Sequence, residues 1–248
     1  MKALILGAGY AVRLRPLTLN KAKPLLAVGG RPMIDYVVEK IDELEQVDRL
    51  YVVVNDRFFD DFRRWAQEAP TSKPVVLVND GSTEDENRLG AVADIHFVIA
   101  TENIADDLLV VGGDNLFDFG LRDFASFFLE KGTAVGLHIC DDPRLVKKLS
   151  VVELDDSQRI VSFREKPETA DSNLVAICLY LFEKTSLPLL KEYLGEGGKR
   201  DAPGYYIEWL HRRIPVYGKV MEGAWYDIGD EQAYREADRV FGGGAEKE

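Results

Sequence analysis

Apolar residues in the first half of the chain occur in short continuous runs and in stretches with helical spacing. A short apolar run predicts a strand buried on both faces, and apolar positions three and four residues apart predict a helix. The predicted strands span residues 2–6, 50–54, 75–78, 108–111 and 133–139, and the predicted helices span 32–44, 58–69, 89–99 and 121–130.

This alternation predicts an α/β fold, with a mostly parallel, Rossmann-like sheet and helices on both of its faces. In such folds, ligands bind beyond the carboxyl ends of the strands. The loops after the first and fourth strands are therefore the first places to look for chemistry.

The second half has a different rhythm. A polar Asp-Asp-Ser turn at 155–157 predicts a hairpin, and we expect a smaller β-rich lobe laid against the first half. Residues 195–204 are rich in glycine and charge and predict a mobile loop, residues 223–230 predict turns, and residues 242–248 should fray. Further predicted strands are 151–154, 160–163, 176–182 and 216–220, and further helices are 188–194, 205–212 and 231–241. With no internal repeat or linker, we expect one domain over 1–248.

Composition narrows the function. The chain has 248 residues, of which 46% are hydrophobic, and a formal net charge of −12. An acidic protein is a poor partner for nucleic acid or an anionic membrane. No apolar run reaches the length of a membrane span, and the N-terminus enters a strand directly, so we expect a cytoplasmic protein without a signal peptide. Cys140 and Cys178, far apart, predict free thiols.

A glycine-bearing turn follows the first strand. Its small residues let the backbone approach a ligand closely, and its amides can form a nest for phosphate. Arg13 adds a planar charged fork and Lys23 a compact charge. A turn that merely links strand to helix would leave these two cations unexplained. The residues proposed to surround a nucleotide here are Leu6, Gly7, Ala8, Gly9 and Tyr10.

Two other phosphate motifs fit less well. A Walker A loop needs Gly-Lys-Ser/Thr, which is missing here. A dinucleotide fingerprint needs a third glycine, where Val12 stands, and an acidic residue about 20 positions later, for which there is no good candidate.

The segment from Gly7 to Thr18, with Lys23-Pro24-Leu25-Leu26 after it, resembles the signature of the sugar-1-phosphate nucleotidyltransferases (NDP-sugar pyrophosphorylases). That signature reads G-x-G-x-R-L-x-P-L-T and then K-P-L-L. The resemblance implies that Arg13 grips the nucleotide phosphates and that Lys23 lies near the reacting phosphates. The chain departs from it at Tyr10, Ala11 and Val12, where relatives have small glycine, serine or threonine residues.

Two aspartates are candidates for a Mg²⁺ site. Asp114 follows a strand and two glycines, where a carboxylate can hold Mg²⁺ or cap the next element. Asp227 lies in Trp-Tyr-Asp-Ile-Gly, which resembles the family's W-x-D-I-G-T, with Asp230 in place of the threonine. The resemblance implies that both aspartates bind the metal.

The resemblance also implies an acceptor pocket and a base pocket. Glu165-Lys166-Pro167 resembles the family's E-K-P, in which Glu binds sugar hydroxyls and Lys the sugar phosphate; alone, it would be a solvated charge pair. Ser150 and Cys178 stand where relatives commonly have glycine, so we expect less room there. The acceptor candidates are Ser150, Glu165, Lys166, Asn173, Cys178 and Trp225, and the base candidates are Asn79, Arg88 and Gly90.

The implied function is Mg²⁺-dependent condensation of a nucleoside triphosphate with a sugar 1-phosphate, releasing pyrophosphate. The nucleotide would bind in residues 1–140 and the acceptor in 141–241, in a short form without a C-terminal β-helix. The alternatives are a cytidylyltransferase for phosphocholine or another non-sugar phosphate, and a non-catalytic paralogue that binds nucleotide sugars. The base and a homo-oligomeric state are left open.

Overall fold

A computed structural model describes residues 1–169 and 171–243; the end of the predicted frayed tail, 244–248, lies outside these residues. Its strands are β1 (Lys2–Leu6), β2 (Ala27–Val28), β3 (Arg31–Pro32), β4 (Arg49–Val54), β5 (Val75–Asn79), β6 (Leu108–Gly112), β7 (Asn115–Phe117), β8 (Ala134–Ile139), β9 (Ser150–Leu154), β10 (Ile160–Glu165), β11 (Leu174–Phe182), β12 (Tyr217–Val220) and β13 (Trp225–Asp227). Its helices are α1 (Met33–Asp42), α2 (Phe59–Glu68), α3 (Ala91–Thr101), α4 (Arg122–Lys131), α5 (Pro143–Val146), α6 (Pro188–Gly195), α7 (Pro203–Leu210) and α8 (Glu231–Phe241).

Four strands of the first half form a parallel sheet in the order β6-β1-β4-β5. Successive side chains of β1 point to opposite faces, so Leu4 and Ile5 belong to two different cores. Ile5 shares its core with Ile34 of α1 and Phe62 of α2, and Leu4 shares the other with Ile95 of α3. The predicted α/β class, with helices on both faces, is confirmed.

The strands of the second half extend the same sheet. β11 pairs with β6 in the antiparallel direction, and β9, β10, β8 and β12 continue from β11. The predicted β-rich part is therefore continuous with the first half through backbone hydrogen bonds. The hairpin of β9 and β10 is confirmed.

The short elements β2, β3, β7, α5 and β13 were not predicted. β13 pairs with β7 as a separate two-stranded ribbon, and it occupies part of the segment predicted as turns. Three residues are too few to show an alternation, and their extended form depends on a partner that is remote in sequence.

The segment predicted as a mobile loop is held in place. The carbonyl of Arg200 accepts a hydrogen bond from the Val92 amide at 2.9 Å, and the carbonyl of Lys199 accepts one from the Tyr193 hydroxyl at 2.9 Å. α7 then begins at Pro203, two residues earlier than predicted. Among the described residues, no helix is both long enough and apolar enough to cross a membrane.

Candidate active site

A cleft of about 360 Å³ opens at the carboxyl ends of β1 and β6. Its walls come from the loop after β1, the start of α3, the end of β6, the middle of β11 and the start of α7. The lining residues are Leu6, Gly7, Ala8, Gly9, Ala11, Arg13, Lys23, Pro24, Arg88, Gly90, Ala91, Asp94, Gly112, Asp114, Cys178, Asp201 and Pro203. Ten of the residues proposed from the sequence are therefore brought together here.

The loop after β1 is fixed by close backbone contacts. The amide of Gly7 donates to the Val53 carbonyl at 2.9 Å, and a Cβ at Gly7 would lie 3.1 Å from that same oxygen. Further along, Ala11 has a left-handed conformation with φ 45°, and buried Thr18 donates its hydroxyl to the Ala11 carbonyl at 2.9 Å. These contacts hold one 3₁₀ turn, Val12–Leu14, on which Leu14 is buried and Arg13 lines the cleft.

Lys23 and Asp114 form an ion pair inside the cleft, with 2.6 Å between Nζ and Oδ2. Burial opposes ionisation of Asp114, but the charge and the hydrogen bond of the Lys23 ammonium, together with a backbone hydrogen bond, help to lower the pKa of this carboxyl overall. Arg13 acts on the carboxyl in the same direction. Asp114 is therefore ionised at neutral pH and partly neutralised by cations of the signature loop.

Asp227 lies beside Asp114, because β13 pairs with β7 so that Asp227 is opposite Asn115. Burial, and next the charge of Asp114, raise the pKa of Asp227, while Lys23 and Arg13 lower it. Two neighbouring carboxylates that repel each other are stabilised by a bound cation. Mg²⁺ commonly takes one or two protein carboxylates and completes its octahedron with phosphate oxygens and water, so this pair fits it.

No larger metal cluster occurs within 1–169 and 171–243, where no group of three or more His, Cys, Asp or Glu side chains is placed to hold an ion. Any metal here would therefore depend on ligands from the substrates. That dependence suits a cofactor that binds together with a polyphosphate.

Asn115 ties the walls of the cleft together, and the sequence analysis assigned it no role. Its Nδ2 donates to the Cys178 carbonyl at 3.0 Å, and its Oδ1 accepts from Trp225 Nε1 at 2.6 Å. The side chain is buried and links β7, β11 and β13. Its position in the sequence, directly after the candidate metal ligand Asp114, is the feature that could have identified it.

The proposed acceptor residues form a group next to the cleft. Ser150 donates a hydrogen bond to Oε2 of Glu165, whose side chain is 5% exposed, and Lys166 Nζ lies 3.6 Å from Glu165 Oε1. A Cβ at Gly204, in the first turn of α7, would overlap both Glu165 and Ser150. Its neighbour Pro203 lines the cleft, so the group and the cleft are contiguous.

Four further proposed residues are not among those that line the cleft. Tyr10 is buried and donates its hydroxyl towards Ser82 Oγ at 3.4 Å. Asn79 donates from its side-chain amide to Asp56, in the loop after β4, and accepts from the Gly81 amide in its own turn. Asn173 is exposed, with Nδ2 3.5 Å from Asp141 Oδ1. Trp225 is half-buried and held by Asn115 on the strand that carries Asp227.

Two acidic residues of the cleft were missed. Asp201 reaches the rim through an ion pair with Arg88 at 3.2 Å. Asp94 is 6% exposed on α3, where burial and then the charge of Asp80 raise its pKa to about 8. The sequence feature that could have pointed to Asp94 is that it is the single carboxylate in the apolar helical stretch 91–99.

Known proteins share sequence and fold with this chain. The sequence model of the Nucleotidyl transferase family matches residues 2–241. The bifunctional protein GlmU of Methanocaldococcus jannaschii is 29% identical over 245 residues, covering 97% of this chain and 54% of that protein. A Sulfolobus acidocaldarius protein provisionally named as a mannose-1-phosphate guanyltransferase is 31% identical over 239 residues, covering 94% and 61%. The chain thus spans a little over half the length of these relatives.

The solved structure of a UDP-glucose pyrophosphorylase with UDP-glucose superposes with a TM-score of 0.82. It covers 97% of each chain at 20% identity, which shows a shared fold. Together, the family match over nearly the whole chain, the fold and the arrangement of the cleft lead to one conclusion: the chain belongs to the Nucleotidyl transferase family.

Proposed function

We propose that this protein condenses a nucleoside triphosphate with a sugar 1-phosphate to give a nucleoside diphosphate sugar and pyrophosphate. The observation that carries the proposal is the meeting of Arg13, Lys23 and Asp114 in one cleft, where all three act electrostatically on the neighbouring carboxyl of Asp227. Named relatives from the same family, among them the guanyltransferase similar to this chain, support it.

The nucleotide would lie along the loop after β1. The glycines at 7 and 9 leave the backbone open to a close ligand, and a Cβ at Gly9 would meet nothing within 4 Å. Arg13 can bind two phosphate oxygens with its fork and stabilise the leaving pyrophosphate.

The acceptor phosphate would approach from the side of Glu165 and Lys166. Its oxygen attacks the α-phosphorus in line, a new O–P bond forms, and the bond from the α-phosphorus to the bridging oxygen breaks, so that this oxygen leaves with pyrophosphate. A phosphate monoester is largely a dianion at neutral pH, so no side chain has to remove a proton. Lys23 and Lys166 hold the phosphates in position and offset their mutual repulsion.

Asp114 and Asp227 would hold a Mg²⁺ ion, which acts as a Lewis acid and template between phosphate groups when bound. The ionised state of Asp114 prepares this pair for a cation. Lys23, 2.6 Å from Asp114, is placed where it can turn from the carboxylate to an incoming phosphate.

We further propose that the acceptor differs from glucose 1-phosphate in size or substitution. Ser150 and Cys178 each place a Cβ near the pocket, and the Ser150 hydroxyl already binds Glu165. Both substrates are metabolites of the cytoplasm, and we expect the protein to act there. The residues described as lining the cleft include no aromatic side chain, so nothing there favours a choline group.

The test is pyrophosphate release from each of five triphosphates (ATP, CTP, GTP, UTP and dTTP) with a panel of sugar, amino-sugar and alditol phosphates. Product masses would identify the nucleoside diphosphate sugar. Release with one or more sugar 1-phosphates supports the proposal. Activity restricted to phosphocholine or alditol phosphates, or binding of nucleotide sugars without any turnover, would contradict it.

A further inference from the structure

Asp94 is an ionisable group that the mechanism does not use. It lies on the fourth position of α3 and lines the cleft, yet its side chain is almost fully buried. Within the described residues, its Oδ1 has no hydrogen-bond partner. A buried carboxyl without a partner is costly to a folded protein, so its presence in a ligand cleft indicates a ligand atom that completes it.

The chemistry of a carboxylate restricts that ligand. An ionised Asp94 would repel phosphate, and the cations that suit phosphate, Arg13 and Lys23, are on the loop after β1. Of the nucleotide, this leaves the base and the ribose. Most bases present a donor next to an acceptor, and an asparagine or glutamine would read that pattern without any ionisation.

Guanine is the exception among the bases. Its N1–H and its exocyclic amino group are two donors side by side, and only a carboxylate offers two acceptors side by side. An ionised carboxylate would in contrast face carbonyl oxygens of uracil or thymine, and acceptor nitrogens of cytosine or adenine. The two acceptor oxygens of the carboxylate therefore complement the two donors of guanine, and they do not complement the bases of the other four triphosphates.

We propose that Asp94 is a specificity-determining residue that selects guanine by accepting hydrogen bonds from N1–H and the amino group with its two oxygens. This inference rests on the proposed function, in which the cleft binds a nucleoside triphosphate. It assigns GTP as the nucleotide substrate.

The proposed binding of guanine to Asp94 should be coupled to the release of a proton. Burial and Asp80 raise the pKa of Asp94 to about 8 in the free protein, while Arg88 and Asp201, also charged, lie at the cleft rim. Guanine binds the ionised form, so binding at pH 7 releases a proton and strengthens as the pH rises towards 8. Binding to a ribose diol, which ATP, CTP, GTP and UTP share, would give no preference among these four nucleotides.

The experiment measures binding of GDP and UDP by isothermal titration calorimetry, and kcat/KM for all five triphosphates, with wild type and Asp94→Asn. We expect the wild type to prefer guanine and Asp94→Asn to lower GDP affinity and the kcat/KM for GTP by about 10- to 100-fold, with little loss for UDP and UTP. Titrations in buffers of different ionisation enthalpy should show proton release in the wild type only.

Asp201→Asn is the matched control, because Asp201 is an aspartate of the same cleft that is paired with Arg88. This variant should change the affinity and the kcat/KM for all nucleotides to the same extent. A wild type that uses another triphosphate better than GTP, or an equal loss for every nucleotide in Asp94→Asn, would overturn the inference and leave the proposed function intact. Guanine-selective binding that needs Asp94, with no turnover of any triphosphate, would support the inference and contradict the proposed function.

Discussion

The ammonium of Lys23 lies 2.6 Å from Oδ2 of Asp114, although 90 residues separate them in the sequence. The lysine side chain is 11% exposed and the aspartate 41%. The signature loop and the end of β6 are thus joined by opposite charges, and Asp114 keeps a side open to the cleft. This pair places a phosphate-binding cation and a metal-binding carboxylate at one point.

Replacing Asp114 removes a charge without changing the shape of the side chain. We expect Asp114→Asn to lower kcat by about 100-fold or more at saturating Mg²⁺, because the carboxylate can no longer help hold the ion near the phosphates. The assay is pyrophosphate release, with circular dichroism to verify folding. The matched control is Asp123→Asn, an exposed aspartate in the first turn of α4. Equal activity of the two variants would show that Asp114 does not bind the metal.

The shape of the Arg13 side chain matters as well as its charge. Arg13→Lys keeps the positive charge and loses the fork that binds two phosphate oxygens, so we expect a loss of about 10- to 100-fold in kcat/KM for the triphosphate. Arg15→Lys is the control, since Arg15 is exposed two residues later and is not among the lining residues. Similar kinetics for both variants would show that Arg13 does not bind the pyrophosphate.

Gly204 allows α7 to pack against the acceptor group. A Cβ there would overlap Oε2 of Glu165 and Oγ of Ser150, whereas a Cβ at Gly195 would meet nothing within 4 Å. Overpacking costs about 1–3 kcal/mol. We expect Gly204→Ala to raise KM for the sugar phosphate about tenfold or more, with a smaller change for the triphosphate.

Gly195→Ala should leave both KM values unchanged. Initial rates with each substrate varied in turn would separate the two effects. A Gly204→Ala protein that folds and shows the same KM for the sugar phosphate as wild type would contradict the placement of the acceptor beside Glu165.

The buried carboxyl of Asp94 predicts how stability depends on pH. Its pKa is about 8 when folded, against an ordinary value of 3.8. The folded state therefore holds a proton that the unfolded state has lost between these values, and the free energy of unfolding falls as the pH rises. One such group contributes a slope of about −1.4 kcal/mol per pH unit.

Denaturant unfolding of the protein without nucleotide at pH 5, 6, 7 and 8 would measure this slope, and Asp94→Asn should remove the contribution. Asp123→Asn again serves as the control. A wild type and an Asp94→Asn variant with parallel stability profiles would show that Asp94 ionises freely.

The sequence by itself determined the strands and helices of the parallel half, and it located the loop with Arg13 and the aspartate after β6. These features follow from local patterns, since a buried strand needs a run of apolar residues and a phosphate loop needs glycine and cations within a few positions. Cys140 and Cys178 are free thiols, as predicted.

Only the tertiary structure decided which residues meet. The pairing of β13 with β7 brings Asp227 next to Asp114, and neither three-residue strand has a signal of its own. Asn79, Asn173 and Tyr10 satisfy their polar groups elsewhere, while Asp94 enters the cleft from an apolar helix. The physical reason is that packing and strand pairing act between segments far apart in the chain. The local propensity of one segment does not depend on which distant segment it will contact.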